Sequence, residues 1–161
     1  MTAAPGTLYA VVDAARDTRL YPLVMQAANQ ACLFGGEVRE PLNRAAPYLV
    51  DLHTGEALFR AWRDEGRGQS WGIMCRSGLS LTDLRRRLRH FLVARLPDGM
   101  LAHFRFYDPR VFGPYLNSCA SEELAAWFDQ VSAYLVEDEA TGAFHEFVLD
   151  EGRLADRAAI S

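Results

Sequence analysis

The 161-residue chain predicts a single α/β (α+β) domain: a mixed β-sheet flanked by helices, with a β-hairpin around Pro97-Asp98-Gly99. Three observations carry this expectation. Short apolar runs of strand length alternate with segments whose apolar residues recur at helical spacing. Pro97-Asp98-Gly99 separates two apolar runs, and Asp-Gly supplies the positive φ angles of a tight turn. No repeat and no Pro/Gly/Ser-rich linker divides the chain, and its 50% hydrophobic content is enough for one core.

The elements follow in order. Residues 8–13 (LYAVVD) read as a buried strand. Leu20, Leu23, Val24, Ala27 and Ala31 share helical spacing, with Pro22 confined to the first turn. Residues 48–52 (YLVDL) form a second strand, because Pro47 disfavours helix before it. Leu58, Phe59 and Trp62 stripe a helix ending at Gly66, and residues 71–76 (WGIMCR) make another strand. Ser80 and Asp83 have capping-box spacing ahead of Leu81, Leu84, Leu88 and Phe91. FLVARL and MLAHFRFY are the hairpin arms. Asp108 caps a short helix with Pro109 at its first position, where a missing amide costs nothing. Glu122 and Glu123 favour the positive end of a helix striped by Leu124, Trp127, Phe128 and Val131. Residues 133–136 and 144–149 are strands that can pair across Thr141-Gly142. The expected division is a domain over 1–136 and an acidic extension over 137–161, comprising a strand packed on the same domain and a flexible tail.

All 17 basic residues are arginine, so P-loop, Schiff-base and kinase-type lysine chemistry is excluded. Codon usage in a GC-rich genome is the plain explanation. Residues 1–115 hold 15 arginines against 11 acids, and residues 116–161 hold 2 against 10. A basic body with an acidic end fits self-pairing, a docking tail or, most commonly, solvated surface. Cys32, Cys75 and Cys119 form no CxxC and read as reduced, packed thiols. The start of the chain lacks a basic, then apolar leader, and no apolar run has spanning length, which predicts a cytoplasmic protein without membrane contact.

Gly68-Gln69-Ser70-Trp71-Gly72 matches GxSxG, for which Asp108 and His145 could complete a hydrolase triad in chain order. The context is reversed, with a helix before Ser70 and a strand after it, so a turn entering a strand is the simpler account. Arg85-Arg86-Arg87 and Arg89 suggest a nucleic-acid stripe, but the chain is acidic overall and no aromatic platform accompanies them. A solvated face with internal ion pairs explains them better. His53, His90, His103 and His145 are scattered without ligand spacing, so neither metal nor cofactor is expected.

The segment FRFYDPRVF (104–112) needs most explanation. As a strand it would put Phe104 and Phe106 on one face and Arg105 and Tyr107 on the other. Arg105 then needs a carboxylate or carbonyl partner. Asp108 can cap the helix and accept an ion pair together. Arg110, in the first turn, opposes the helix dipole and calls for an acidic partner, inside or outside the protein.

LYAVVDAA, AAPYLVDL (45–52), SWGIMCRSGLSLTDLRRRLRHFLVARLPDG (70–99), FRFYDPRVF and LAAWF (124–128) occur in order. Together they resemble the effector-adaptor (effector chaperone) domain of bacterial type VI secretion, formerly a domain of unknown function, over residues 8–136. The resemblance implies a non-enzymatic protein that binds a toxic effector in the cytoplasm and delivers it to the valine–glycine-repeat spike protein. No nucleic acid, small-molecule substrate or cofactor is implied. Carried over by motif, Arg89, Arg105, Asp108, Pro109 and Arg110 would be signature scaffold positions. Many family members continue into a further carboxy-terminal region, whereas residues 137–161 here are an acidic end. Candidate exposed anchors for partners, by position, are Arg86, Arg87, Arg110, Phe112 and Tyr115.

Overall fold

The computed structural model describes residues 6–36 and 38–158. β1 (Thr7–Asp13) leads through a 3-10 turn to α1 (Leu20–Gln26), β2 (Gln30–Cys32) and β3 (Pro47–Asp51). α2 (Glu56–Ala61) runs into a π-turn (Trp62–Gly66) before β4 (Gly72–Ser77). α3 (Leu81–Arg89), β5 (Val93–Arg95), β6 (Leu101–His103), α4 (Pro109–Ser118) and α5 (Ser121–Trp127) follow. β7 (Val131–Glu137), β8 (Phe144–Asp150) and β9 (Arg153–Ala158) come last.

Seven strands form one sheet in the order β2-β3-β1-β4-β7-β8-β9, and β5 and β6 pair separately. The single α+β domain is as expected. Every pairing is antiparallel, so the parallel pairs of a mixed sheet are absent among the described residues. β1 lies inside the sheet between β3 and β4, and its Leu8–Val12 run is apolar because both its faces are covered. Tyr9 and Val11 enter one core with Leu84, Leu88, Phe106, Phe112 and Trp127, under α3, α4 and α5. Ala10 and Val12 enter the opposite core with Leu20, Val24, Leu58 and Trp62, under α1 and α2. Two stacked cores around one sheet make a three-layer molecule.

Other sequence expectations also change along the chain. The first helix ends at Gln26, and Ala31 lies in β2, so its helical spacing is coincidental. Val131 likewise belongs to β7, not to the helix of Leu124 and Trp127. Residues 153–158, expected in a flexible tail, pair with β8 as β9; residues 159–161 of that tail lie outside the described residues. Among the described residues no helix is long and apolar enough to cross a membrane.

Candidate functional site

The motif residues converge at the carboxy-terminal end of β1. Asp13 closes that strand, with its N–H donating to the Trp71 carbonyl at 2.8 Å. Its carboxylate accepts the Ala15 N–H at 3.1 Å, which starts the 3-10 turn, and Arg105 Nη2 at 2.5 Å. The Arg105 guanidinium also lies over the Tyr107 ring, 5.5 Å from its centroid, and the Tyr107 hydroxyl meets His103 Nε2 at 3.2 Å.

Residues 104–108 are not a strand. They turn, with the Asp108 N–H donating to the Arg105 carbonyl at 3.1 Å. A strand would send Phe106 and Tyr107 to opposite faces, whereas the turn buries both. Arg105 is thereby left at the rim, its side chain 47% exposed over an Asp13 side chain only 3% exposed.

Asp108 caps α4 as expected, accepting the Arg110 N–H at 2.9 Å. The same carboxylate accepts Arg110 Nε at 3.0 Å and Nη2 at 2.8 Å, so the acidic partner of Arg110 is internal. This fork outweighs the unfavourable placement of a cation in the first turn. Burial pushes the Asp108 carboxyl up, but the Arg110 guanidinium and amide overcome it and hold the group below its usual range. At Asp13 the balance reverses: burial raises the carboxyl beyond what the Ala15 amide and Arg105 recover. The node therefore presents two guanidiniums at the surface with two carboxylates behind them.

The other sequence candidates do not join this node. Arg86 pairs with Asp83 at 3.3 Å and Arg87 with Asp129 at 2.7 Å. Arg85 donates to the carbonyls of Cys32 (2.6 Å) and Phe34 (3.1 Å), tying α3 to the end of β2. Arg89 lies so close to Gly35 that a Cβ there would collide with its guanidinium. Four arginines thus serve three directions, not one phosphate-tracking stripe. Phe112, expected as an exposed anchor, is fully buried, because the helical period turns Pro109, Phe112 and Leu116 inward together. Tyr115 is half-buried, packing on Phe104 and accepting the Trp127 Nε1–H at 3.1 Å. Ser70 is buried, and the proposed triad partners are engaged elsewhere: Asp108 with Arg110, His145 with Asp138 and Asp156.

Two features lay outside the sequence reading. His145 is held between carboxylates, Nδ1 at 2.9 Å from Asp156 and Nε2 at 3.3 Å from Asp138. The hairpin β5–β6 exposes Val93 (52%), Leu96 (43%), Met100 (65%) and Leu101 (63%). Val93 pairs with His103 and Arg95 with Leu101, so Val93 and Leu101 share one outward face with Arg95 and His103, while Leu96 and Met100, bonded across the turn, have the opposite parity. The alternation was visible in the sequence, but which face the body would cover was not. Among the described residues no group of three or more His, Cys, Asp or Glu could hold a metal ion.

Residues 8–126 match the family described as Domain of unknown function (DUF4123). The chain belongs to that family. No curated protein and no solved structure matches it. The DUF4123 segment contains both layers of the node, Asp13 at its start and Arg105 to Arg110 later. It also contains the exposed hairpin, and it ends inside α5, before β7.

Proposed function

We propose that this DUF4123 protein is an adaptor, not an enzyme: it binds a toxic effector of type VI secretion in the bacterial cytoplasm and helps load it onto the valine–glycine-repeat spike protein. The resemblance of the ordered motifs, ending in FRFYDPRVF, suggests the role. The observation that supports it is the exposure of Val93, Leu96, Met100 and Leu101 on one hairpin. Four large apolar side chains left in water on one short hairpin mark a surface that another polypeptide covers. Among the described residues β5 and β6 pair only with each other, which leaves each outer edge without a ladder partner for an added strand of the effector. Arg95, on the same face as Val93 and Leu101, with Arg86 and Arg89 exposed on the helix that precedes it, favours an effector segment carrying acidic residues among apolar ones.

In this reading the Asp13–Arg105 and Asp108–Arg110 pairs fix the chain that returns from the hairpin and so set its angle to the sheet. Co-expression with a candidate toxin effector and with the spike protein tests the role. Co-purification of a complex is expected. Its repeated absence, with all partners folded, would overturn the proposal.

A further inference from the structure

The α1/α2 face of the sheet is only partly covered. The two helices lie over the β1 and β3 half, and a cleft of about 280 Å³ remains where β4, β7 and β8 emerge beside α2. Its walls are Leu8, Phe59, Met74, Leu135 and Phe144, and its polar member from the sheet is Arg76. Strand parity explains the grouping. Leu8 pairs with Arg76 and Met74 with Leu135, so these side chains stand together on one face.

Arg76 is unusual among the arginines that line this cleft. Arg63 pairs with Asp64 at 2.9 Å, and Arg67 Nε donates to the Gly142 carbonyl at 2.7 Å. Among the described residues the buried Nε of Arg76 has no hydrogen-bond partner, and no carboxylate lines the cleft. A guanidinium N–H shut away from water and bonded to nothing is unfavourable until an acceptor reaches it. An apolar cleft carrying such a group is complementary to an apolar side chain beside an anion.

We infer that the cleft formed by Arg76, Met74, Leu135, Phe59 and Phe144 binds the carboxy-terminal residue of a partner protein, the α-carboxylate on Arg76 and a large apolar side chain between Phe59 and Phe144. Size and chemistry select this occupant. The cleft is at the lower edge of the roughly 300–1,000 Å³ typical of small-ligand sites, which suits one residue better than a cofactor. Only a chain-terminal residue carries a carboxylate and an apolar side chain on the same Cα. An internal acidic residue would need a second residue and through-running backbone in the same space. A turn of the Arg76 side chain presents Nε and a neighbouring Nη as a two-pronged donor for the carboxylate.

The site is separate from the hairpin, so its test is independent of the adaptor role. The purified protein, ¹⁵N-labelled, is titrated with N-acetyl-Leu-Phe as the free acid, with its carboxamide, and with a capped peptide holding an internal Glu beside Phe. The free acid is expected to shift the Trp62 indole N–H and the amides of Met74, Leu135 and Phe144, and to bind at least tenfold tighter than either other probe. Arg76→Gln is expected to remove that preference. Equal binding of acid and carboxamide overturns the proposal, as do shifts elsewhere or no binding at all. Equal binding of the capped internal Glu overturns the terminal-carboxylate assignment. The acid-to-amide comparison uses the unaltered protein, so it stands even if Arg76→Gln fails to fold.

Discussion

Arg105 reaches Asp13 across 92 positions of sequence, joining the turn after the hairpin to the end of β1. One partner is buried and the other half exposed, which places the pair between a surface salt bridge and a core one. A double-mutant cycle with Asp13→Asn and Arg105→Gln is expected to give a coupling of about 1 kcal/mol in urea unfolding. Burial already holds the Asp13 carboxyl above its usual range. A carboxyl raised on folding favours the native state at low pH and loses that contribution as pH rises through its folded value. Arg105→Gln removes a charge that opposes the rise, so it should steepen the loss of stability above the ordinary carboxylate range. A pH profile unchanged by Arg105→Gln would show the pair to be electrostatically idle.

Asp108 performs two tasks that substitutions can separate. Asp108→Ala removes the cap of α4 and releases Arg110, and is expected to cost about 1–3 kcal/mol. Asp108→Asn keeps an oxygen for the Arg110 amide and should recover the capping share while losing the ionic one. The pH dependence is opposite to that of Asp13. The Asp108 carboxyl is held low in the fold, so its stabilisation is present above the unfolded value and lost as pH falls through the folded one. Acid unfolding of wild type and Asp108→Asn should therefore converge at low pH. If Asp108→Ala kept full thermal stability and lost effector binding, the residue would be a contact and not a cap.

His145 offers a test on the alkaline side. A neutral imidazole has one N–H, yet both ring nitrogens face carboxylates, which only accept. The imidazolium therefore fits the site, and the hydrogen bond to Asp156 leads in raising its pKa above the ordinary 6.5. Arg110, Glu137 and Glu139 line the same groove, and Phe147 stacks on the ring. The stabilisation is complete below the unfolded value and disappears as pH rises through the folded one. Solvent screens this partly exposed ring, so the change should stay below about 1 kcal/mol. It is read as the difference between wild type and His145→Gln from pH 6 to 9. Parallel curves would rule out the charged clamp.

Local signals were legible where the chain's own neighbours decide the outcome. Ser80 accepts the Asp83 N–H, Asp108 caps α4 with Pro109 next, and β7 and β8 pair across Thr141-Gly142, all as the spacing indicates. What could not be read depends on residues far away. Nothing near Arg105 names Asp13 as its partner. FRFY has strand-like alternation, yet the core has room for Phe106 and Tyr107 side by side, and packing overrides the pattern. The acidic end reads as solvated surface, but Glu137 is buried, accepting the Trp62 indole N–H at 2.9 Å and the Gly68 amide at 2.5 Å. β9 escaped notice because an edge strand needs only one apolar face, and RLADRA supplies a weak one.

The aromatic core beneath the motif should dominate stability. Phe106 lies 5.4 Å from Trp127 and 6.2 Å from Phe112, ring centre to ring centre, and is fully buried. Phe106→Ala is expected to cost about 3–5 kcal/mol, through lost transfer energy and an unfilled cavity. Phe106→Leu should cost clearly less. A loss under about 1 kcal/mol for the alanine variant would mean that the surrounding rings collapse into the space.

The hairpin makes the reverse prediction, because its apolar side chains contribute little to the free protein. Leu101 and Met100 are each more than 60% exposed, so replacing them removes few native contacts. Leu101→Asp and Met100→Asp should each change unfolding stability by no more than about 0.5 kcal/mol. Solubility should improve, since an apolar patch with open strand edges invites self-association. Effector capture should fall at least tenfold in the same variants, because a buried carboxylate would face the apolar side chains of the added segment. Light scattering, urea unfolding and pull-down on one set of preparations separate these effects. Retained capture by the double variant would move the effector contact off the hairpin, whereas lost stability would place these residues in the core.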